Sequence, residues 1–294
     1  MMDDRLVRHP LGFWRVKDLP DLQTLRAYYE SRYYQTAQSN YRPTYPAEEV
    51  AWFHAKTERI ATSIAEVRGV SGGTVLDVGC GEGFAMDWFD RNGYAVRGVD
   101  FSRAGMEGAH PHLLDRLETG EVQELLDAHI AAGRTYDVIW LTNVLEHVID
   151  PLALLTRLRQ LQASAGVLVV TVPNDGSAWQ EFLFATGRIS ERFWIAIPDH
   201  LSYFDADSLR AVATATGWQC ARMTADFPID WFLGNAESDY VSLKAKGRGA
   251  HQARIAIDTV LAGQPVQAVN RFYAAMADVG MGRQLTAILT SETP

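Results

Sequence analysis

Short apolar runs alternate with helix-like stretches through the middle of this chain. The runs at 74–79, 95–100, 136–141 and 167–172 are almost continuously apolar, which is typical of parallel strands covered on both faces. Helical patterns follow them at 83–92, 102–109, 121–132 and 151–164. A weakly marked strand is expected between 112 and 120. This alternation predicts an α/β fold with a doubly wound sheet.

The two ends of the chain are more helical. Helices are predicted at 20–37 and 47–68, and after a long segment, 174–204, a helix at 205–216 and a strand near 218–226 follow. Two runs compete for the last strand, 240–243 and 284–289. We favour the second because it follows a Gly-rich turn at 280–282. The alternative would turn the residues after 227 into a C-terminal appendage.

The predicted division of the chain follows from that choice. We expect an N-terminal helical segment or cap at 1–69, a core at 70–227, a helical insertion or lid at 228–280, and a final strand and tail at 281–294.

Composition narrows the class of protein. The 294 residues are 47% hydrophobic, which is enough for a large buried core. A formal net charge of -9 without basic clusters disfavours nucleic acid as a partner. The two cysteines and the lack of a signal-like or membrane-spanning apolar run lead us to expect a soluble cytoplasmic protein.

A glycine-rich turn follows the first apolar run. Gly79, Gly81 and Gly83 come directly after it, and Asp100 ends the next run about 20 residues later, the spacing at which a βαβ unit places an acid beside a ribose. The spacing G-x-G-x-G lacks the third glycine position of the dinucleotide pattern. Asp77 precedes the turn and suits an ammonium group better than a pyrophosphate. The sequence therefore predicts a site for a nucleoside cofactor that carries an amino group.

The motif Val75–Gly83, VLDVGCGEG, resembles the first motif of class I S-adenosylmethionine (SAM)-dependent methyltransferases. That resemblance implies a Rossmann-like, mostly parallel seven-stranded sheet with an antiparallel terminal hairpin. It also implies SAM as cofactor and S-adenosylhomocysteine (SAH) as product. Asp77 would then hold the methionine amino end, Asp100 the ribose hydroxyls and Phe101 the adenine. The cofactor-binding residues so implied are Asp77, Gly79, Cys80, Gly81, Gly83, Asp100, Phe101, Glu121, Val122, Thr142, Asn143 and His147.

Two later segments resemble small-molecule methyltransferases, the ubiquinone-type and sugar-type enzymes among them. They are the N-x-L-E-H-V stretch at 143–148 and the V-P-N at 172–174 with H-x-x-Y-F at 200–204. The catalytic candidates are His147, His200, Tyr203 and His251. The substrate-binding candidates are Tyr33, Tyr41, Asn174, His200, Tyr203 and Arg254. For each candidate the alternative is a capping or packing role.

Two of these sets depend on helical spacing. One helical turn would put His200 and Tyr203 on one face. A helix at 248–262 would likewise align His251, Arg254 and Asp258, where they could grip an anionic acceptor.

We therefore predict a methyltransferase that moves the SAM methyl group by SN2 displacement to an oxygen or nitrogen of a small molecule, such as a secondary metabolite or a sugar. The alternatives are an NAD-dependent oxidoreductase and a non-catalytic SAM-binding regulator. We expect a small-molecule acceptor, neither nucleic acid nor membrane as partner, and leave homodimer formation open. No zinc-ligand pattern is present in the sequence, so no metal site is predicted, and metal dependence stays open.

Overall fold

The computed structural model describes residues 3–21, 23–25, 28 and 44–291. In chain order its strands are β1 (Leu6–Arg8), β2 (Trp14–Val16), β3 (Thr74–Val78), β4 (Ala95–Asp100), β5 (Leu117–Thr119), β6 (Tyr136–Thr142), β7 (Gln162–Pro173), β8 (Ser202–Tyr203), β9 (Trp218–Ala225) and β10 (Gln284–Ser291). The helices are α1 (Ala47–Arg68), α2 (Phe84–Arg91), α3 (Ala104–Ala109), α4 (Val122–Ala131), α5 (Pro151–Arg159), α6 (Ala178–Ala185), α7 (Ala206–Ala215), α8 (Gly247–Ala262) and α9 (Val266–Asp278).

The central sheet has seven strands in the order β5-β4-β3-β6-β7-β10-β9. The first five strands of this order run parallel, whereas β10 is antiparallel to both of its neighbours, β7 and β9. This confirms the predicted fold class, including the antiparallel terminal hairpin. The weakly marked strand expected between 112 and 120 is the three-residue β5 at the sheet edge.

Both faces of the sheet are buried, which explains the continuous apolar runs. On β3, Leu76 and Val78 belong to one apolar core and Val75 to another, and all three are fully buried. Successive side chains of a strand point to opposite faces, so a strand covered on both sides needs apolar residues at every position. Burial of each such side chain contributes about 1.5–3 kcal/mol to folding.

One predicted element differs in length, and the choice between the two candidate last strands is settled. The helix expected at 151–164 ends at Arg159, because the chain enters the long strand β7 at Gln162. The alternative last strand at 240–243 is not a strand, whereas the favoured run is β10. Residues 228–280 therefore lie between the two antiparallel strands β9 and β10 as a helical insertion.

A second, three-stranded sheet was not predicted. It has the order β1-β2-β8, and Trp14 of β2 pairs with Tyr203 of β8. Leu6, Val16 and Leu201 form a small apolar core beneath it. This sheet holds the chain just after His200 in a fixed register with the N-terminal segment.

Helix α1 and the insertion pack together on the sheet. Asn270 of α9 donates hydrogen bonds to the Ser63 hydroxyl at 2.9 Å and to the Arg59 carbonyl at 3.1 Å. Trp52 donates to Asp258 of α8 at 2.7 Å. Most of the predicted helix 20–37 lies outside the described residues. Within the described part of the chain, no helix combines the length and apolar character needed to cross a membrane.

Candidate functional site

The glycine turn after β3 brings bare backbone close to a second loop. Gly79, Gly81 and Gly83 have φ angles of 72°, 54° and 79°, a left-handed conformation that favours glycine. A Cβ on Gly79 would lie 2.5 Å from Cγ2 of Val144, so no larger residue fits there without displacement. The turn therefore touches the segment that follows β6, at the carboxyl ends of the strands, where open α/β sheets bind their ligands.

Two buried carboxylates lie beside this turn. The Asp100 carboxylate accepts backbone N–H groups from Gly81 at 2.8 Å and from Ser102 at 2.9 Å. Asp77 is 4% exposed and Asp100 is 2% exposed. Burial raises the pKa of Asp100, and burial together with the neighbouring Asp100 charge raises the pKa of Asp77 to about 8.

This electrostatic arrangement discriminates between cofactors. A pyrophosphate would add negative charge next to two desolvated carboxylates, whereas an ammonium group would stabilise the ionised form of Asp77. The residues present therefore fit the amino group and ribose of SAM better than a dinucleotide. Burial also raises the pKa of the Cys80 thiol, which favours a spacer in the turn over a reactive cysteine.

Aromatic side chains of α1 and the residue before it cover the glycine turn. Phe53 stacks on Phe84, the first residue of α2, with ring centroids 4.2 Å apart. Tyr45 meets Phe84 edge-on at 5.0 Å, and its hydroxyl donates to the Glu82 carboxylate. The start of α1 is thus attached to the same turn that would hold the cofactor.

The predicted adenine side lies at the ends of β4 and β5. Gly120 donates its N–H to the Asp100 carbonyl at 3.0 Å, which joins the ends of these two strands just before Phe101 and Glu121. The Glu121 carboxylate accepts the N–H of Glu124 at 2.9 Å and caps α4. Its side chain therefore has a structural contact that the sequence analysis did not foresee.

Thr142 and Asn143 end β6 opposite the glycine turn. Asn143 has a φ of 55°, uncommon for a residue other than glycine, and its N–H donates to the Thr171 carbonyl at 2.9 Å. Its side-chain oxygen accepts the Gln284 amide at 2.6 Å. The left-handed turn directs the chain from the sheet edge towards Val144 and the polar residues that follow.

Two of the polar residues after Val144 lie beside a histidine from the segment before β8. We term this group, Glu146, His147 and His200, the Glu–His–His cluster. The His147 and His200 rings meet edge-on with centroids 5.0 Å apart. His147 Nε2 lies 3.8 Å from Glu146 Oε1, and His200 Nδ1 lies 3.4 Å from Asp175 Oδ2. Burial raises the pKa of Glu146. The structure therefore brings together two predicted catalytic candidates and a carboxylate that received no predicted role.

Two predicted acceptor residues have structural contacts instead. Tyr203 belongs to a strand, not a helix, is 3% exposed, and donates its hydroxyl to the His200 carbonyl at 3.0 Å. Burial raises the pKa of Tyr203, so the phenol stays protonated and the phenolate that a general base would need is disfavoured. Asn174 is 2% exposed, and its amide donates to the carbonyls of Gly280 and Gly282 at 3.1 Å each. It ties the end of β7 to the turn before β10, and the acceptor contact of Asn174 stays a prediction.

The predicted set on the insertion helix does share a face, but that face packs against α1. His251 Nε2 lies 2.9 Å from Glu49 Oε1, and Arg254 lies over the Trp52 ring at 4.5 Å. Arg254 Nη2 also lies 2.6 Å from His251 Nδ1. These contacts dock α8 onto α1. Tyr33 and Tyr41 lie outside the described residues.

A polar connection that sequence reasoning missed leads from α1 to the site. Lys56 donates to the Gln284 side-chain oxygen, and Gln284 in turn donates to Asn143. Lys56 also lines a cavity of about 290 Å³ between α1 and the insertion, together with Arg59 and Asp226. No sequence motif marks these positions, because the chain positions that meet there are more than 140 residues apart.

Comparisons with known proteins agree with this geometry. A family model described as a methyltransferase domain matches residues 52–222. A ubiquinone biosynthesis O-methyltransferase of Vibrio cholerae serotype O1 is 33% identical over 132 residues, 43% of this chain and 52% of that protein. The chain thus spans about half the length of the curated relatives it matches.

Solved structures share the fold. A SAM-dependent methyltransferase from Archaeoglobus fulgidus is 17% identical with a TM-score of 0.51, covering 92% of this chain and all of that one. The plantazolicin methyltransferase BamL, solved in complex with a triazolic desmethylPZN analog and SAH, is 10% identical with a TM-score of 0.50, covering 93% of this chain and 92% of that one. At such identities the likeness shows the fold alone.

Proposed function

Because the chain belongs to the class I SAM-dependent methyltransferase family, we propose that it transfers a methyl group from SAM to a hydroxyl oxygen of a small-molecule acceptor. The observation that carries this proposal is the contact between the glycine turn and the segment after β6, with two buried carboxylates on one side and the Glu–His–His cluster on the other. Oxygen is favoured over nitrogen because the curated relatives are named as O-methyltransferases.

Different residues of the chain would hold different parts of the cofactor. Asp77 would hold the amino group of the cofactor and Asp100 its ribose hydroxyls, while the backbone of Gly79 and Gly81 allows close approach. The segment from Thr142 would line the methionine part. When bound, SAM supplies an activated methyl group on a sulfonium, so the protein needs no nucleophile of its own.

Positioning is then the main task of the protein. Alignment of an acceptor with a reactive group can supply about 7–11 kcal/mol of the barrier. Val144 and the aromatic rings of Phe53 and Phe84 limit access of water to the turn. His147 and His200, which meet edge-on beside Glu146, would contact the acceptor.

Calorimetric titration tests the cofactor half of this proposal. We expect SAH to bind one site per chain and NAD to give no heat, because a pyrophosphate would face Asp77 and Asp100. Binding of NAD without binding of SAH would overturn the proposal in favour of the oxidoreductase alternative.

Turnover is tested separately. Incubation with SAM and a panel of phenols, catechols and hydroxylated sugars should release SAH with at least one acceptor class. SAH binding without SAH release from any acceptor would instead support the non-catalytic regulator.

A further inference from the structure

The cavity between helix α1 and the insertion shares no lining residue with the glycine turn or the Glu–His–His cluster. Its volume of about 290 Å³ is close to the lower end of the range for small-molecule pockets, about 300–1,000 Å³. Aromatic and aliphatic side chains form most of the wall, among them Trp52, Phe227, Leu261, Val269 and Tyr273. An apolar wall with a few charged groups is the usual composition of a site for a small organic molecule.

Two cations, Lys56 and Arg59, line this cavity. Arg59 is 7% exposed, and its guanidinium lies over the Tyr273 ring at 4.5 Å. Within the described part of the chain it donates to two neutral oxygens, those of the Asn270 side chain and the Ala225 carbonyl, each at 3.4 Å, and pairs with no carboxylate. A guanidinium carries five N–H donors, so Arg59 keeps donors for a further acceptor.

The carboxylates beside these cations are already engaged. The two oxygens of Asp258 accept the Tyr273 hydroxyl and the Trp52 indole N–H, each at 2.7 Å. One oxygen of Asp226 accepts two backbone N–H groups at 3.1 and 2.7 Å, and the other lies 3.3 Å from Lys56 Nζ. Neither carboxylate is therefore a full partner for the Arg59 guanidinium.

A third cation packs on the wall of the cavity. Arg254 lies over the Trp52 ring at 4.5 Å, and its Nε atom is buried without a hydrogen-bond partner. Burial lowers the pKa of Lys56, Arg59 and Arg254, which shows that the nearby carboxylates do not fully offset the loss of water. Glu58 also lines the cavity, but it is exposed, so solvent screens its charge. A bound anion would offset the cost of holding these cations away from water.

We propose that this cavity binds a small organic anion, a carboxylate or a phosphate on an apolar body. Arg59 and Lys56 would pair with the anionic group, because a guanidinium matches both carboxylate and phosphate in geometry. The aromatic and aliphatic wall would contact the apolar body. Because Lys56 also donates to Gln284, the occupant would contact the hydrogen-bonded connection that leads from α1 to Asn143.

Calorimetric titration of the full chain with benzoate and with phenyl phosphate, in the absence of SAM and SAH, tests the site. We expect one equivalent of at least one of these anions to bind, and the tighter of the two identifies the anionic group that fits. Benzamide, which has the shape of benzoate without its charge, should bind at least tenfold more weakly than that anion. Absence of one-equivalent binding by both anions, or benzamide binding as tightly as they do, would overturn the proposal.

Variants locate the bound anion. Arg59→Gln and Lys56→Gln should each weaken its binding at least tenfold. The matched control is Arg271→Gln, since Arg271 is an exposed arginine of α9 that does not line the cavity. Circular dichroism shows whether each variant is folded, and Lys56→Gln carries the test if Arg59→Gln does not fold. Equal affinity in Lys56→Gln and Arg271→Gln would place the anion elsewhere and refute the assignment.

Thermal unfolding gives a second measurement. The anion should raise the melting temperature of the wild type and of Arg271→Gln in a concentration-dependent way, and should do so much less in Lys56→Gln. Equal increases in all three proteins would also contradict the proposal. Since none of these measurements contains the cofactor, their outcome does not depend on whether the chain transfers methyl groups.

Discussion

Replacement of Asp77 by Asn should stabilise the cofactor-free protein while weakening its cofactor site. Asp77 is 4% exposed, and burial with the adjacent Asp100 charge raises its pKa from 3.8 to about 8. A functional carboxylate held in such a place costs folding stability, the trade-off expected where binding requires a desolvated charge. Asn keeps the shape of the side chain and removes the ionisable group.

The sign and size of the effect follow from the two pKa values. Below about pH 4 Asp77 is protonated in both the folded and the unfolded chain and costs nothing. As pH rises towards 8 the unfolded chain ionises first, so this group lowers the stability by about 1.4 kcal/mol per pH unit. The upper limit at pH 8 is about 5–6 kcal/mol. Allowing for relaxation around the charge, we expect about 1–3 kcal/mol to be recovered by Asp77→Asn.

Thermal unfolding at several pH values measures this effect. The melting temperature of Asp77→Asn should exceed that of the wild type by an amount that grows from pH 5 to pH 8, by about 2 °C or more for each kcal/mol. Asp127→Asn is the control, because the Asp127 side chain is 58% exposed and should show no such trend. A difference that is constant or shrinks as pH rises would refute the reasoning.

The same carboxyl should report cofactor binding. SAH binding at pH 7 should release protons in the wild type, because the ammonium group favours ionised Asp77, and this release should vanish in Asp77→Asn. Titration in two buffers of different ionisation enthalpy measures it, and equal release by both proteins would place the amino group elsewhere.

Two further predictions concern the same turn. Gly79→Ala places a Cβ 2.5 Å from Val144 in a left-handed backbone. We expect it to cost about 1–3 kcal/mol of stability and to weaken SAH binding at least tenfold. Gly133 is also left-handed but a Cβ there would have nothing within 4 Å, so Gly133→Ala should keep the SAH affinity. Equal losses of affinity in the two variants would argue against the contact. Asp100→Asn should weaken SAH binding about 10–100-fold, since a charged acceptor contributes about 1.5–3 kcal/mol, and unchanged calorimetric affinity would contradict its assignment to the ribose.

The sheet could be predicted from the sequence because its strands are buried on both faces. The run containing Leu76 is apolar at most positions, with Asp77 as the exception that marks the site, and helix α1 begins and ends where its pattern predicts. The small sheet could not be predicted, because β8 has two residues and its partners three, too few for a periodic signal.

The glycine turn could likewise be predicted from the sequence, whereas the Glu–His–His cluster could not. The glycine turn and Asp100 are local features of one βαβ unit, so a motif reveals them. The Glu–His–His cluster joins residues 146, 147 and 200, which meet only in the folded chain. Asn174 and Tyr203 show the limit of a motif: both belong to a recognisable pattern, yet their side chains make internal hydrogen bonds.

Asn143 connects the glycine turn to the Glu–His–His cluster. Its left-handed backbone directs the chain to Val144 against the cofactor turn, and its side chain is held by Gln284, which in turn is held by Lys56 of α1. Helix α1 thus packs against the glycine turn through Phe53. Through these hydrogen bonds it also contacts the loop that precedes the Glu–His–His cluster. A shift of α1 would alter both surfaces together. We therefore expect sequence changes in α1 and in the insertion packed on it to alter acceptor choice without replacing a residue of the glycine turn.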